Sequence, residues 1–202
     1  VGVDIDPQPR YPHEFIQADA MTVLADLPFL RTFDLIHASP PCQSYSLLNA
    51  YNRHTYPDLV APVRELLRAS GVPYVIENVT QAPLLDPVVL CGSMFDLRVY
   101  RHRGFESSVP ITRPALPAHV ARCARNGYLP RDGQFMSVHG GKHSRAWQRA
   151  AAEVMGLPWL AIPEDADFER TRVGIREVCE AIPPEYTRYV GGQVMRALEA
   201  AA

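Results

Sequence analysis

Along the first 80 positions of the chain, apolar residues fall in short runs separated by polar turns. Residues 1–5 (VGVDI) and 14–18 (EFIQA) are each closed by an aspartate, Asp6 and Asp19, and both runs predict strands. Between them and the next run, Met21, Leu24 and Leu27 recur at helical spacing, which predicts a helix over residues 20–27 ended by Pro28. Residues 33–38 (FDLIHA) predict a buried strand that the following prolines bring to an abrupt end. Residues 43–56 are polar and aromatic and predict a loop. Residues 57–70 carry Leu59, Val63, Leu66 and Leu67 on one face, with Pro57 near the first turn and Gly71 as the stop, and predict a helix. Tyr74-Val75-Ile76 then predicts a strand running into Glu77.

Strand, helix and strand in alternation predict an α/β fold with a parallel sheet, right-handed crossovers and ligands at the carboxyl ends of the strands. Residues 80–144 lack that rhythm. They are rich in Pro, Gly and Arg, with short strand candidates only at 97–100 and 135–138, and predict a small irregular subdomain. Helices are expected at 144–155, stopped by Gly156, at 177–181 and at 184–200.

Composition narrows the class. At 202 residues, 47% hydrophobic and 21% charged, the chain suits one globular domain with a small appendage. No apolar run approaches the roughly 20 residues of a membrane helix, and the first residues lack a secretory pattern, so the expectation is a soluble intracellular protein. Cys42, Cys91, Cys123 and Cys179 are far apart, with neither a CxxC pair to suggest zinc nor a disulfide framework. The net charge is only −2. Between Arg98 and Arg149, however, ten basic residues face two acids, a local +8 against −10 for the rest. That split suggests a face for a polyanion, with a solvated basic loop as the alternative.

Two residues stand out chemically. Cys42 follows two prolines at the end of a predicted strand, which stiffens its backbone and delivers a thiol to the ligand-binding edge, as a nucleophile needs. The other three cysteines lack that context and read as small buried hydrophobes. Glu77 lies at the tip of the next strand. If the two strands are neighbours, the thiol and the carboxyl group come within reach of one small ring, a pairing that suits addition to a pyrimidine.

Ser39-Pro40-Pro41-Cys42-Gln43 resembles the proline-cysteine motif of DNA cytosine-5 methyltransferases, and Glu77-Asn78-Val79 resembles their Glu-Asn-Val motif, in the same order. Arg101-His102-Arg103 is similar to the family's Arg-x-Arg motif, and residues 182–191 are similar to its C-terminal motif. The resemblance implies a Rossmann-like S-adenosylmethionine-dependent methyltransferase fold: a catalytic core over residues 1–100, a basic recognition insertion over 101–143 and a helical part completing the core over 144–202. It implies that Cys42 adds to carbon-6 of a flipped cytosine while Glu77 engages the ring's N3 and amino edge and Arg103 holds the base or its sugar-phosphate. S-adenosylmethionine is the implied cofactor, with Asp4 toward the ribose hydroxyls, Asp19 toward the adenine amino group, and Pro41 as a further contact. Either aspartate equally suits a strand-ending turn. Gln43, Asn78, Arg101, Lys142 and Arg145 are expected on the side of double-stranded DNA, and Tyr45 and Tyr51 line the base pocket or pack the loop.

The family's Phe-x-Gly-x-Gly cofactor loop is not in this sequence, so an upstream segment carrying it is expected. The short recognition region implies a short target or modest sequence specificity. The implied setting is the cytoplasm of a bacterial cell or phage-infected host, with the enzyme acting as a monomer. His139-Gly140-Gly141-Lys142-His143 is expected to form a phosphate or substrate loop rather than a metal site, since the glycines preclude a helix and no third ligand is evident. Three alternatives stay open: a thymidylate synthase-like enzyme acting on free nucleotides, a DNA-binding module without catalysis, and a cytosine-modifying enzyme of this fold that acts on nucleotides or transfers another group.

Overall fold

The structure, a computed structural model, describes residues 1–45, 56–115, 119, 121–125 and 127–201. Tyr51 and most of the expected 43–56 loop lie outside the described residues. The chain is mixed α/β and divides into two compact units, residues 1–87 with 104–109, and residues 88–103 with 110–202.

In the first unit, β1 (Gly2–Asp4) and β2 (Phe15–Gln17) pair in parallel, with Asp4 opposite Gln17. The expected helix over residues 20–27 is instead two short ones, α1 (Ala20–Leu24) and α2 (Leu27–Leu30). Asp19 caps the first and Asp26 the second, each accepting a backbone N–H. Pro28 opens α2 rather than ending α1, because its missing N–H goes unused in a first turn. Strand β3 (Ile36–Ala38) is shorter than the run 33–38 that predicts it. Helix α3 (Val60–Ser70) stops at Gly71, whose φ of 73° is the left-handed conformation that glycine adopts without strain. Strand β4 (Tyr74–Asn78) is buried along its whole length.

Strands β3 and β4 are parallel neighbours, with Ala38 opposite Ile76. The sheet is nevertheless mixed, because residues 103–107 form a strand that the sequence did not suggest. After β5 (Val88–Leu90), β6 (Arg103–Ser107) runs antiparallel to β4 and places Phe105 opposite Glu77. Its sequence, RGFES, lacks an apolar pattern because Glu106 is a buried charge. Arg64 of α3 neutralises it through two hydrogen bonds of 2.7 Å. Arg64 also donates to the Pro83 carbonyl, and Glu106 accepts the Leu85 N–H. One buried ion pair thus ties helix, strand and the 83–85 loop around β4. Leu24, Leu30, Val63, Leu67, Tyr74 and Ile76 form the core beside it.

The second unit holds β5, α4 (Arg145–Val154), α5 (Phe168–Glu180) and α6 (Pro184–Ala201). The expected strands at 97–100 and 135–138 are reduced to bridges, Val99 to Met136 and Cys123 to Phe135. Helix α5 starts much earlier than the expected residue 177, because Asp167 caps it by accepting the Arg170 N–H at 2.7 Å. Its sequence concealed this: Phe168 and Val173 are exposed, so apolar spacing is no guide. Trp147, Ala151, Met155 and Val178 are among the residues forming this unit's core. Gln148 is fully buried there, and its side chain binds the Leu160 carbonyl and the Ile162 N–H. Among the described residues, no helix is long and apolar enough to cross a membrane.

Candidate active site

The chain leaves β3 through Ser39-Pro40-Pro41 and turns at Cys42, whose carbonyl accepts the Tyr45 N–H at 3.1 Å. Tyr45 fixes this turn to the start of α3: its hydroxyl donates to the Asp58 carboxylate and accepts the Val60 N–H at 3.2 Å. Burial and the acceptor at Asp58 together hold the Tyr45 phenol above its usual range, so it stays a donor. Cys42 is half-buried, while Pro41 and Gln43 are exposed.

Glu77 and Asn78 lie inside β4 rather than just beyond it. Continuing the parallel register from Ala38 and Ile76 sets Ser39 beside Glu77 and Pro40 beside Asn78. A side-chain contact marks the same place, since Asn78 Nδ2 donates to the Pro40 carbonyl at 2.8 Å and Asn78 Oδ1 accepts the Val79 N–H at 2.9 Å. The strand end carrying Glu77 is therefore bonded to the proline turn that presents Cys42. Glu77 is only 5% exposed. By strand alternation its side chain leaves the sheet face opposite to that of Tyr74 and Ile76, which pack with the residues of α3.

Asp4 and Asp19 each have local work. Asp4 accepts the Asp6 N–H at 2.8 Å and the Gln8 amide at 3.2 Å. Asp19 accepts the Met21 N–H at 3.0 Å as the cap of α1. A carboxylate has roughly four acceptor positions, so both retain capacity for a ligand at the carboxyl ends of β1 and β2.

In the second unit, Arg101 differs from its sequence-based expectation. It is 3% exposed, and its guanidinium donates to the Val138 carbonyl at 2.7 Å and the Cys179 carbonyl at 2.5 Å, an internal tie rather than a surface contact. Tyr186 donates to the Arg101 carbonyl at 2.6 Å. Arg103 is half-buried and donates to the His102 carbonyl at 2.8 Å. Lys142 is exposed. Arg145 is exposed as well, but it pins the carbonyls of Glu164 and Ala166 at 2.8 and 2.9 Å. In the 139–143 loop, His143 stacks on Trp147 with ring centroids 3.6 Å apart, and its Nε2 lies 3.1 Å from the His139 carbonyl.

The cysteines separate by environment, and no disulfide joins them. Cys123 is exposed, contrary to the expectation of burial. Burial pushes the Cys179 thiol up to about 11. Cys91 is buried, which alone would raise its pKa, but hydrogen bonds with His102 and Ser93 bring it down to about 6. The contact with Cys91 correspondingly raises His102. Sequence reasoning missed this pair because the two residues share no short motif. A scan of protein-family models finds no match to the chain, and a search of curated proteins finds none either.

Proposed function

We propose that this chain is a DNA cytosine-5 methyltransferase, with Cys42 as nucleophile and Glu77 as the acid that grips the base. The observation that carries the reading is the Asn78–Pro40 hydrogen bond across adjacent parallel strands, which couples the carboxyl-bearing strand end to the cysteine turn. The parallel β1–β2 and β3–β4 pairs, with α3 between the latter, support a Rossmann-like methyltransferase core.

The Cys42 thiolate adds to carbon-6 of cytosine, forming a carbon–sulfur bond and shifting the ring's electron pair toward carbon-5. Glu77, buried at the strand end, engages the ring's N3 and amino edge and offsets the charge that builds there. S-adenosylmethionine, when bound, supplies the electrophilic methyl group that carbon-5 takes up. Asp4 and Asp19 fit the polar edge of its adenosine part in kind, each being a carboxylate with acceptor capacity left, and the family resemblance adds Pro41 as a further cofactor contact. Transfer of the carbon-5 proton to solvent water then returns the electron pair to the ring and expels Cys42 as its thiolate. The target base leaves the duplex to reach the thiol. Exposed Arg113, Arg122, Arg125, Arg131 and Lys142 suit phosphate contacts in kind, and Gln43, exposed next to Cys42 in sequence, suits a nucleotide contact. This reading carries a monomeric, cytoplasmic enzyme with it.

The test is covalent trapping. DNA containing 5-fluorocytosine, incubated with S-adenosylmethionine and the protein, forms a denaturant-stable adduct that Cys42→Ala abolishes and Glu77→Gln slows. Equal trapping by the Cys42→Ala variant would remove Cys42 from the mechanism.

A further inference from the structure

We propose that Cys91, His102 and His119 form a divalent-metal site suited to zinc, separate from the cytosine chemistry and independent of it. One donor atom from each residue lies within 4.8 Å of the other two. All three belong to the second unit.

The donor set selects the metal. One thiol sulfur and two imidazole nitrogens suit Zn²⁺, whereas Mg²⁺ and Ca²⁺ take oxygen donors. Zinc bonds of about 2.3 Å to sulfur and 2.0–2.1 Å to nitrogen put tetrahedral donors roughly 3.3–3.6 Å apart. The present spacing therefore needs only a small inward movement of side chains. Cys91 is fully buried, whereas both imidazoles are exposed, so water has access to the fourth position.

Neighbouring contacts restrain the surroundings of each ligand. Cys91 is fixed by the backbone beside it, because Gly92 lies so close to Val99 that an added Cβ would stand 2.4 Å from the Val99 carbonyl oxygen. Ser93 donates its hydroxyl to the Cys91 sulfur at 3.4 Å. His102 follows Arg101, which is anchored at both its guanidinium and its carbonyl. The His119 ring packs against Tyr100 at 4.4 Å, and the Tyr100 hydroxyl donates to the Ala121 carbonyl at 2.9 Å. The ring of His119 stands 5.1 Å from that of His102.

A Cys91–His102 catalytic pair explains less. A thiol with no exposed surface cannot attack a macromolecule, and such a pair gives His119 no role. A metal uses all three residues. It would clasp the segment carrying His119, with Arg122 and Arg125 close behind it in sequence, to the residues around Tyr100.

The test uses the full chain, stripped with a chelator and titrated with Co²⁺ as a spectroscopic probe. The expected result is one Co²⁺ per chain, with the visible bands of a tetrahedral site and a near-ultraviolet thiolate-to-cobalt charge-transfer band, all displaced by Zn²⁺. His102→Ala and His119→Ala change exposed residues and leave the core intact, and each weakens Co²⁺ binding at least tenfold. Cys91→Ser removes the charge-transfer band, whereas Cys42→Ala retains it. Absence of stoichiometric binding, an octahedral spectrum, unchanged affinity in either histidine variant, or loss of the band in Cys42→Ala would each overturn the proposal.

Discussion

Asn78 offers the sharpest test of how the candidate site is held. The side chain is 1% exposed and makes two hydrogen bonds, one to the Pro40 carbonyl and one from the Val79 N–H. Asn78→Ala removes both partners' contacts at once. Each neutral hydrogen bond contributes about 1 kcal/mol net, and a buried group left unpaired costs about 1–3 kcal/mol. Water can reach part of the proline turn, since Pro41 is exposed, so the expected loss lies at about 2–4 kcal/mol in total. Chemical denaturation measures this directly. The sequence places Asn78 on the side of DNA, but its side chain is buried and bonded internally. Under the proposed function the rate of 5-fluorocytosine adduct formation should therefore fall while DNA affinity stays within about twofold, a shift worth roughly 0.4 kcal/mol. Asn78→Asp gives a control of sign: it retains an acceptor for Val79 but turns an acceptor toward the Pro40 carbonyl, and it should trap more slowly than its nearly equal size suggests. Unchanged stability together with an unchanged trapping rate in Asn78→Ala would refute the coupling of the two strand ends.

Three further predictions concern charged side chains. Arg101→Met keeps the apolar stem but loses two charged hydrogen bonds of about 1.5–3 kcal/mol each, so it should destabilise the protein by about 3–5 kcal/mol and leave the salt dependence of DNA binding unchanged. Lys142→Ala should do the reverse, lowering the salt slope by about one and shifting stability by less than about 0.5 kcal/mol; a changed slope in Arg101→Met without lost stability contradicts the assignment. For Glu106, burial raises the pKa, but the Arg64 hydrogen bonds and the Leu85 N–H outweigh it and hold the carboxyl below its usual value. A depressed folded pKa contributes stability that is present above the unfolded value, about 4.3, and is lost as pH falls through the folded one. Glu106→Gln should therefore flatten the fall in unfolding free energy below about pH 4.3 and cost about 3–5 kcal/mol near neutral pH by leaving Arg64 buried without its counter-ion. An acid unfolding profile identical to that of the parent protein would show that this carboxylate is not the titrating group.

What was legible in the sequence was written in short windows. The order β3, α3, β4 followed from an apolar run, a helical face and a stop at Gly71, and the crossover rule then made the two strands neighbours, as their register shows. The tips of those strands were legible with them, and Asn78 adds a bond between them that no spacing rule supplies. The rest depended on partners far away along the chain. Strand β6 was hidden because Glu106 is acceptable inside it only with Arg64, 42 residues earlier. Arg101 looked available for a polyanion because its acceptors lie 37 and 78 residues onward. Cys91, His102 and His119 come from three separate stretches, so no ligand spacing marked them. A local charge count therefore sets only an upper bound on phosphate contacts. Within the +8 segment Arg101 is buried, Arg145 holds two carbonyls and Arg149 lies 3.3 Å from Glu164. The surface available to a polyanion is consequently smaller than the count suggests, and the measured salt slope should fall short of ten contacts accordingly.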